Sequence, residues 1–399
     1  MKKLVSILLS LCLGLFLADA VVSLADDTLI LFFDIHIFST IRGILFFFDI
    51  ILAIVIYFLI GFTPMIPKRL FLPVTLFNPV AALVAVPFLI YYYGRIQQMA
   101  WVISFCQVLF GFGILYWLLG GFNFRWPLVA EKQLEGRRFS GRNLTVFLLV
   151  NVFVLLPAAF LYLAYCASLA VDHFSGSFLA LRPDGLTVQV RKYVRNDGKT
   201  IHLIPMSHIG ESDFYHQISQ SFPTNCVILM EGVTDNKNLI TNKLTYKRMA
   251  TSLGLSEQQE KFEPSRGEMV QADVDVGQFS ADTIGLLNLV SLVHAKGLNA
   301  ETVLKLMQYS PPPHFEEQLF DDLLTKRNQH VLEVIEAELP QSENIMVPWG
   351  VAHMPEIAKE IQKSGFCLAE SQEYKIINFR SVLKNILSNG KSQSKDHNQ

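Results

Sequence analysis

Two histidines and one glutamate stand at the ends of short apolar segments in the second half of the chain. Ile204-Pro205-Met206-Ser207 runs into His208, Val227–Met230 runs into Glu231, and Val347-Pro348-Trp349-Gly350-Val351-Ala352 runs into His353. Short apolar runs of this kind are the mark of strands buried on both faces. In open α/β sheets, ligand sites form beyond the carboxyl ends of strands, where loops and helix starts converge. Parallel neighbours would therefore bring His208, Glu231 and His353 to one edge. Two histidines and a carboxylate can hold a catalytic divalent metal and leave a position open for water. A lone histidine at a strand end equally serves structure. Glu231 closes a fully apolar run, where a carboxylate needs a cation, a metal or hydrogen bonds. Glu211 and Glu356 follow the two histidines by three residues, each at a helix start, where complementing the helix dipole would also account for them.

The elements that must position these residues are those of an α/β domain. Thr187–Val194 alternates apolar and polar residues, and Asn196-Asp197-Gly198 supplies a turn into a second strand at Thr200–Pro205. Asn225–Met230, Ile345–Trp349, Phe366–Ala369 and Tyr374–Phe379 read as further strands. Helical spacing runs over Glu211–Phe222, Lys243–Leu253, Ala281–His294, Ala300–Tyr309, Phe315–Leu339 and Pro355–Ser364. Strands alternating with helices predict a central, partly parallel mixed sheet flanked by helices, over residues 176–380. The polar tail 381–399 is expected to be disordered.

The residues before 176 read differently. The 399-residue chain is 51% hydrophobic and only 17% charged, against about 25% charge in soluble domains. Its mean hydropathy is +0.35. Residues 1–175 predict an α-helical membrane domain of four or five spans, near 4–24, 41–62, 74–93, 100–122 and 144–171. The first of these, after Lys2-Lys3 and with Ala18-Asp19-Ala20 at its end, also fits a cleavable signal peptide. Tyr91, Tyr92, Tyr93, Trp101, Trp117 and Trp126 fall near span ends, as interfacial aromatics do. Alternate loops, counting from the N-terminus, hold nine Lys or Arg against two in the others. The N-terminus and basic loops are thus expected inside and the C-terminal domain outside the cytoplasm. Asp49, inside an apolar run, is a functional candidate, with a paired structural role as the alternative. A net charge of −2 gives no basic field for nucleic acid. Cys226 and Cys367, the two cysteines of the soluble part, sit in runs resembling buried strands; free thiols or one disulfide fit both.

Taken together, Ile204–His208, Leu229-Met230-Glu231 and Trp349–Pro355 resemble the TraB/GumN/Tiki family. Its pattern is Gly-x-x-His after an early strand, a glutamate ending the next strand, and a second Gly-x-x-His near the C-terminus. Gly350–His353 matches the second motif, while Pro205 stands where the first has glycine. Lys326-Arg327-Asn328-Gln329 is similar to the family's Arg-Asn helix, and Ala272–Asp275 with Phe279-Ser280 to a Tiki-like segment. The resemblance spans about Thr187–Phe379 and none of the membrane part. It implies a membrane-tethered, metal-dependent protease acting on peptide or protein substrates outside the cell, with Mn²⁺ or Co²⁺ favoured and Zn²⁺ as an alternative. Carried over, His208, His353 and Glu231 become the metal set, with Glu231 or Glu211 as general base on metal-bound water. Arg327 would pair with a substrate carboxylate or stabilise an oxyanion, a surface salt bridge being its plainer reading. Asp273 and Asp275 are turn and cap residues on this reading. A non-catalytic, signal-binding regulator of the same fold and a metal-independent ester hydrolase are the alternatives, and the oligomeric state stays open.

Overall fold

The computed structural model describes residues 2–121, 125–241 and 245–396, with side chains to residue 388. It divides into two compact units, Met1–Ala170 and Val171–Gln399.

The first unit is helical: α1 (Lys2–Phe33), α2 (Ser39–Phe62), α3 (Lys68–Tyr91) and α4 (Ile96–Leu119), then α5 (Gly141–Val150) and α6 (Leu156–Phe174), which continue one another through a π-helical turn at Asn151–Leu155. Among the described residues, five helices are long and apolar enough to cross a membrane. They overlie the five expected spans; Phe122, the last residue expected of the fourth, lies outside the described residues. The polarity of this unit is inverted. Phe47, Phe153 and Phe160 are 60%, 70% and 71% exposed, while Asp19, Asp26, Asp27 and Asp49 are at most 1% exposed. A bundle whose solvent is hydrocarbon puts its polar groups inside, because lipid can neither hydrogen-bond nor hydrate them.

The second unit is α/β. A seven-stranded sheet runs β1 (Leu179–Arg182), β2 (Gly185–Val194), β3 (Thr200–Met206), β8 (Asn344–Gly350), β5 (Val227–Met230) and β7 (Glu268–Gln271), and β9 (Cys367–Asn378) pairs the free edge of β2. Two short strands, β4 (Ile209–Gly210) and β6 (Ser256–Glu257), pair separately. β3, β8, β5 and β7 are parallel, whereas β2 is antiparallel to β1, β3 and β9. The parallel strands are buried because both faces are covered. Leu203, Leu229, Val347 and Trp349 pack against α13 (Lys326–Glu338) and α14 (Met354–Lys363) through Val331, Ile335, Ile357 and Ile361. Ile204, Ile228 and Met346, the alternate residues of the same strands, pack against α7 (Ser212–Gln220) through Phe214, Tyr215 and Ile218. The period of two along each strand dictates that division.

The remaining helices are α8 (Lys247–Leu253), α9 (Gln258–Lys261), α10 (Ala281–Lys296), α11 (Ala300–Gln308), α12 (Phe315–Phe320) and α15 (Phe379–Asp396). Three expectations differ from the structure. The helix expected over Phe315–Leu339 is α12 and α13 joined by a π-helical turn at Asp321–Thr325. Phe366–Ala369 and Tyr374–Phe379 are one strand, β9, and Cys367 on it is exposed because β9 is an edge with a single neighbour; Cys226 is buried and both thiols are free. The expected disordered tail is helical to Asp396, and Leu383, Ile386 and Leu387 give it an apolar stripe at helical spacing. Lys243, expected to open a helix, lies outside the described residues; that helix, α8, begins at Lys247.

Candidate active site

A cleft of about 660 Å³ opens at the carboxyl ends of β3, β5 and β8, with Ser207, His208, Glu231, Arg327, Gly350 and His353 on its walls. Leu179, Met206, Leu319, Phe320 and Leu323 give it an apolar wall, and Gln258 and Glu316 also line it. β3 and β8 end level, with Met206 paired to Gly350, and β5 runs parallel beside β8 from the Val227–Ile345 pair, so Glu231 follows it toward the same edge. His208, Glu231 and His353 thus line one cleft together with Arg327. Glu211 does not join them. Its backbone N–H donates to the Ile376 carbonyl, and its carboxylate accepts from the Asn378 N–H at 3.2 Å, which ties it to β9.

Glu231 is held from two sides. Oε2 accepts the Gly350 N–H at 2.5 Å, and Oε1 accepts Arg327 Nη2 at 2.9 Å. Arg327 also grips Asp273 through Nε at 2.9 Å and Nη2 at 2.6 Å, a two-point guanidinium–carboxylate contact. The Asp273 side chain is fully buried and those of Arg327 and Glu231 nearly so. Asp273 also accepts the backbone N–H groups of Gly232 and Val274, each at 2.9 Å. One guanidinium therefore neutralises part of a pair of buried carboxylates that would otherwise be costly.

His353 sits in a single 3₁₀ turn, Val351–His353, between β8 and α14, and is 3% exposed. Asn328 Nδ2 donates to Glu356 Oε2 at 2.6 Å, so its Oδ1 faces His353 Nδ1 at 2.7 Å as an acceptor. That assigns the ring hydrogen to Nδ1 and leaves the Nε2 lone pair directed at Glu231 Oε1, 3.6 Å away. Two acceptors at that separation call for a shared proton donor. Burial pushes His353 down to about 4, and the Arg327 charge acts in the same direction. The imidazole is accordingly neutral at pH 7. His208 stands at the rim, exposed, its ring stacked on Tyr246 with centroids 4.9 Å apart.

A divalent metal needs several side-chain donors converging on one point. Among the described residues, no three His, Cys, Asp or Glu side chains gather as a cation's ligands. Of the expected set only His353 Nε2 presents an open donor aimed into the cleft at close range to another. Both Glu231 oxygens already accept hydrogen bonds, and a guanidinium, not a second carboxylate, occupies the third side. As placed here, these side chains do not form a divalent ion's ligand set.

Asp273, Asn328 and Glu356 were not singled out by sequence reasoning in the roles they occupy. Asp275 does act as a turn and cap residue, accepting from the N–H groups of Asn236 and Gly277. Asp273, two residues earlier, meets Arg327 instead. No family model, no curated protein and no solved structure matches the chain.

Proposed function

We propose that the C-terminal unit is a hydrolase of peptide or ester bonds, membrane-tethered by the preceding helices, with its cleft outside the cytoplasm. The observation that carries this reading is the orientation of His353: Asn328 and Glu356 fix its tautomer, and its unprotonated Nε2 faces the cleft. A water donating to Nε2 and to Glu231 Oε1 would be placed for attack, with His353 taking its proton as general base. The imidazolium so formed lies beside the Glu231 carboxylate, as a triad histidine lies beside its aspartate. Arg327 holds Glu231 in place, and its remaining N–H edge suits an oxyanion or a substrate carboxylate. The apolar wall formed by Leu319, Phe320 and Leu323 favours a substrate with an apolar group next to the scissile bond. The TraB/GumN/Tiki-type motifs agree with hydrolysis; Mn²⁺, Co²⁺ or Zn²⁺ dependence is a separate claim that the same experiment decides.

The full-length protein in detergent micelles is assayed against quenched-fluorescent peptide libraries and p-nitrophenyl acyl esters, with and without chelator. Turnover that survives chelation and falls roughly 10²–10⁴-fold in His353→Gln is expected. Activity indifferent to His353→Gln would sink the assignment. Loss on chelation restored by Mn²⁺ or Co²⁺ would move the chemistry to a metal bound in a rearranged cleft.

A further inference from the structure

The helical unit contains a second group of ionisable residues that the hydrolytic reading does not use. Asp19, Asp26 and Asp27 on α1 and Asp49 on α2 are all buried. Arg42 serves only part of the group, bonding Asp27 at 2.6 Å and approaching Asp26 at 3.5 Å. Asp27 is further satisfied by Ser104 Oγ at 2.6 Å and Gln97 Nε2 at 3.2 Å. An antiparallel pair that sets Asp26 opposite Arg42 also sets Asp19 opposite Asp49, seven residues and about 10 Å further along α1. At that level no side-chain cation among the described residues is bonded. Asp19 accepts Gln107 Nε2 and Asp49 accepts Asn78 Nδ2, each at 2.9 Å through one oxygen. The other oxygen of each carboxylate, Oδ1, is buried with no hydrogen-bond partner.

Two carboxylates so placed cannot both stay ionised and bare. Unpaired charge in an apolar interior costs many kcal/mol, and neutralisation or cation binding is the usual resolution. The donors around them extend as a polar line: Gln97, Trp101, Ser104 and Gln107 recur at spacings of four, three and three on α4 and each bonds α1. We propose that Asp19 and Asp49 jointly hold a small monovalent cation, H⁺ or Na⁺, in the helical bundle, with the Gln97–Gln107 line leading to it. The other titratable and charged groups on the packed helices are few. Lys2, Lys3, Cys12, Asp26 and Asp27 share α1, Arg42 and Tyr57 share α2, Lys68, Arg69 and Tyr91 lie on α3, and α4 carries Cys106 and Tyr116 but no Asp, Glu, Lys or Arg.

Dicyclohexylcarbodiimide, which reacts with protonated carboxyls in apolar surroundings, tests this on the full-length protein in micelles, with labelled positions mapped by peptide mass spectrometry. Labelling of Asp19 or Asp49 is expected. A rate that slows about tenfold per pH unit above the titration midpoint and ignores Na⁺ identifies H⁺; suppression by sodium chloride but not choline chloride at fixed pH identifies Na⁺. No label on either carboxyl, or a rate indifferent to both cations, overturns the proposal. So does an Asp49→Asn protein in which Asp19 keeps its label and its cation dependence unchanged, because the site would then not be shared.

Discussion

Two histidines give the C-terminal unit a pH signature that follows from where they sit. His353 in the folded chain lies at about 4, against an ordinary value of 6.5, because burial and then Arg327 oppose its charge. His202 on β3 is pushed to about 4 by burial and then by Lys192. A depressed histidine leaves full stability above pH 6.5, where both folded and unfolded chains are neutral. As pH falls from 6.5 towards 4, the unfolded chain takes up a proton that the folded one refuses. His353 alone then weakens the fold by about 1.4 kcal/mol per pH unit. The thermal midpoint of the C-terminal unit in the full-length protein should be flat above pH 6.5 and drop steadily below it. His353→Gln should shallow that slope. A midpoint unchanged between pH 6.5 and 4 would show that His353 is not buried neutral, and with it would go the tautomer on which the general-base assignment stands. His208 is exposed and stacked on Tyr246, so two histidines with similar sequence contexts differ in physical character. The type and strand-end position of His353 and Glu231 were legible from the residues around them. Their partners were not, since Asp273 and Asn328 lie 42 and 97 residues from Glu231 and only the fold makes them neighbours.

Elements were read best where burial is two-sided. β3, β5 and β8 are short apolar runs because helices cover both faces, and that composition alone located them. β7 escaped, because Glu268–Gln271 is a half-open edge strand whose side chains are mostly exposed, so no apolar pattern marks it. The π-helical turn at Asp321–Thr325 escaped too. It leaves the apolar spacing of a continuous helix intact while adding a residue just before Arg327, the type of local irregularity that recurs at functional sites. The edge of the sheet offers a test of how tightly β2 and β9 are fitted. A Cβ built on Gly185 would collide with the backbone carbonyl oxygen of Ile377. A backbone obstacle cannot swing aside as a side chain can, so Gly185→Ala should destabilise the C-terminal unit by about 1–3 kcal/mol. Glycine-to-alanine changes in strands otherwise tend to stabilise. Chemical denaturation of the variant decides between the two: a neutral or raised midpoint would mean that β9 lies further from β2 than the register Gly185–Asn378 sets it.

At the scale of the whole chain, two solvents are written into one sequence: an inside-out helical unit and an α/β unit with an ordinary apolar core. The proposed hydrolysis outside the cytoplasm depends on which way the first unit is threaded, and that rests on loop charge, nine Lys or Arg on one set of loops against two on the other. The cysteines supply the measurement. Cys226 is buried in the C-terminal unit, Cys12 and Cys166 are buried in the helices, and Cys106 is exposed only on α4, within an apolar span. Cys367 on edge strand β9 is exposed and water-facing. A membrane-impermeant maleimide added to intact cells should therefore label the protein through Cys367, and Cys367→Ser should abolish that label without affecting folding, since the thiol contacts no core. Labelling that appears only after the cells are permeabilised would place β9 and the cleft in the cytoplasm. An odd number of crossings with the N-terminus inside could not then hold, and the basic loop before the last span would lie on the far side. The substrate sought for His353 would then have to be intracellular.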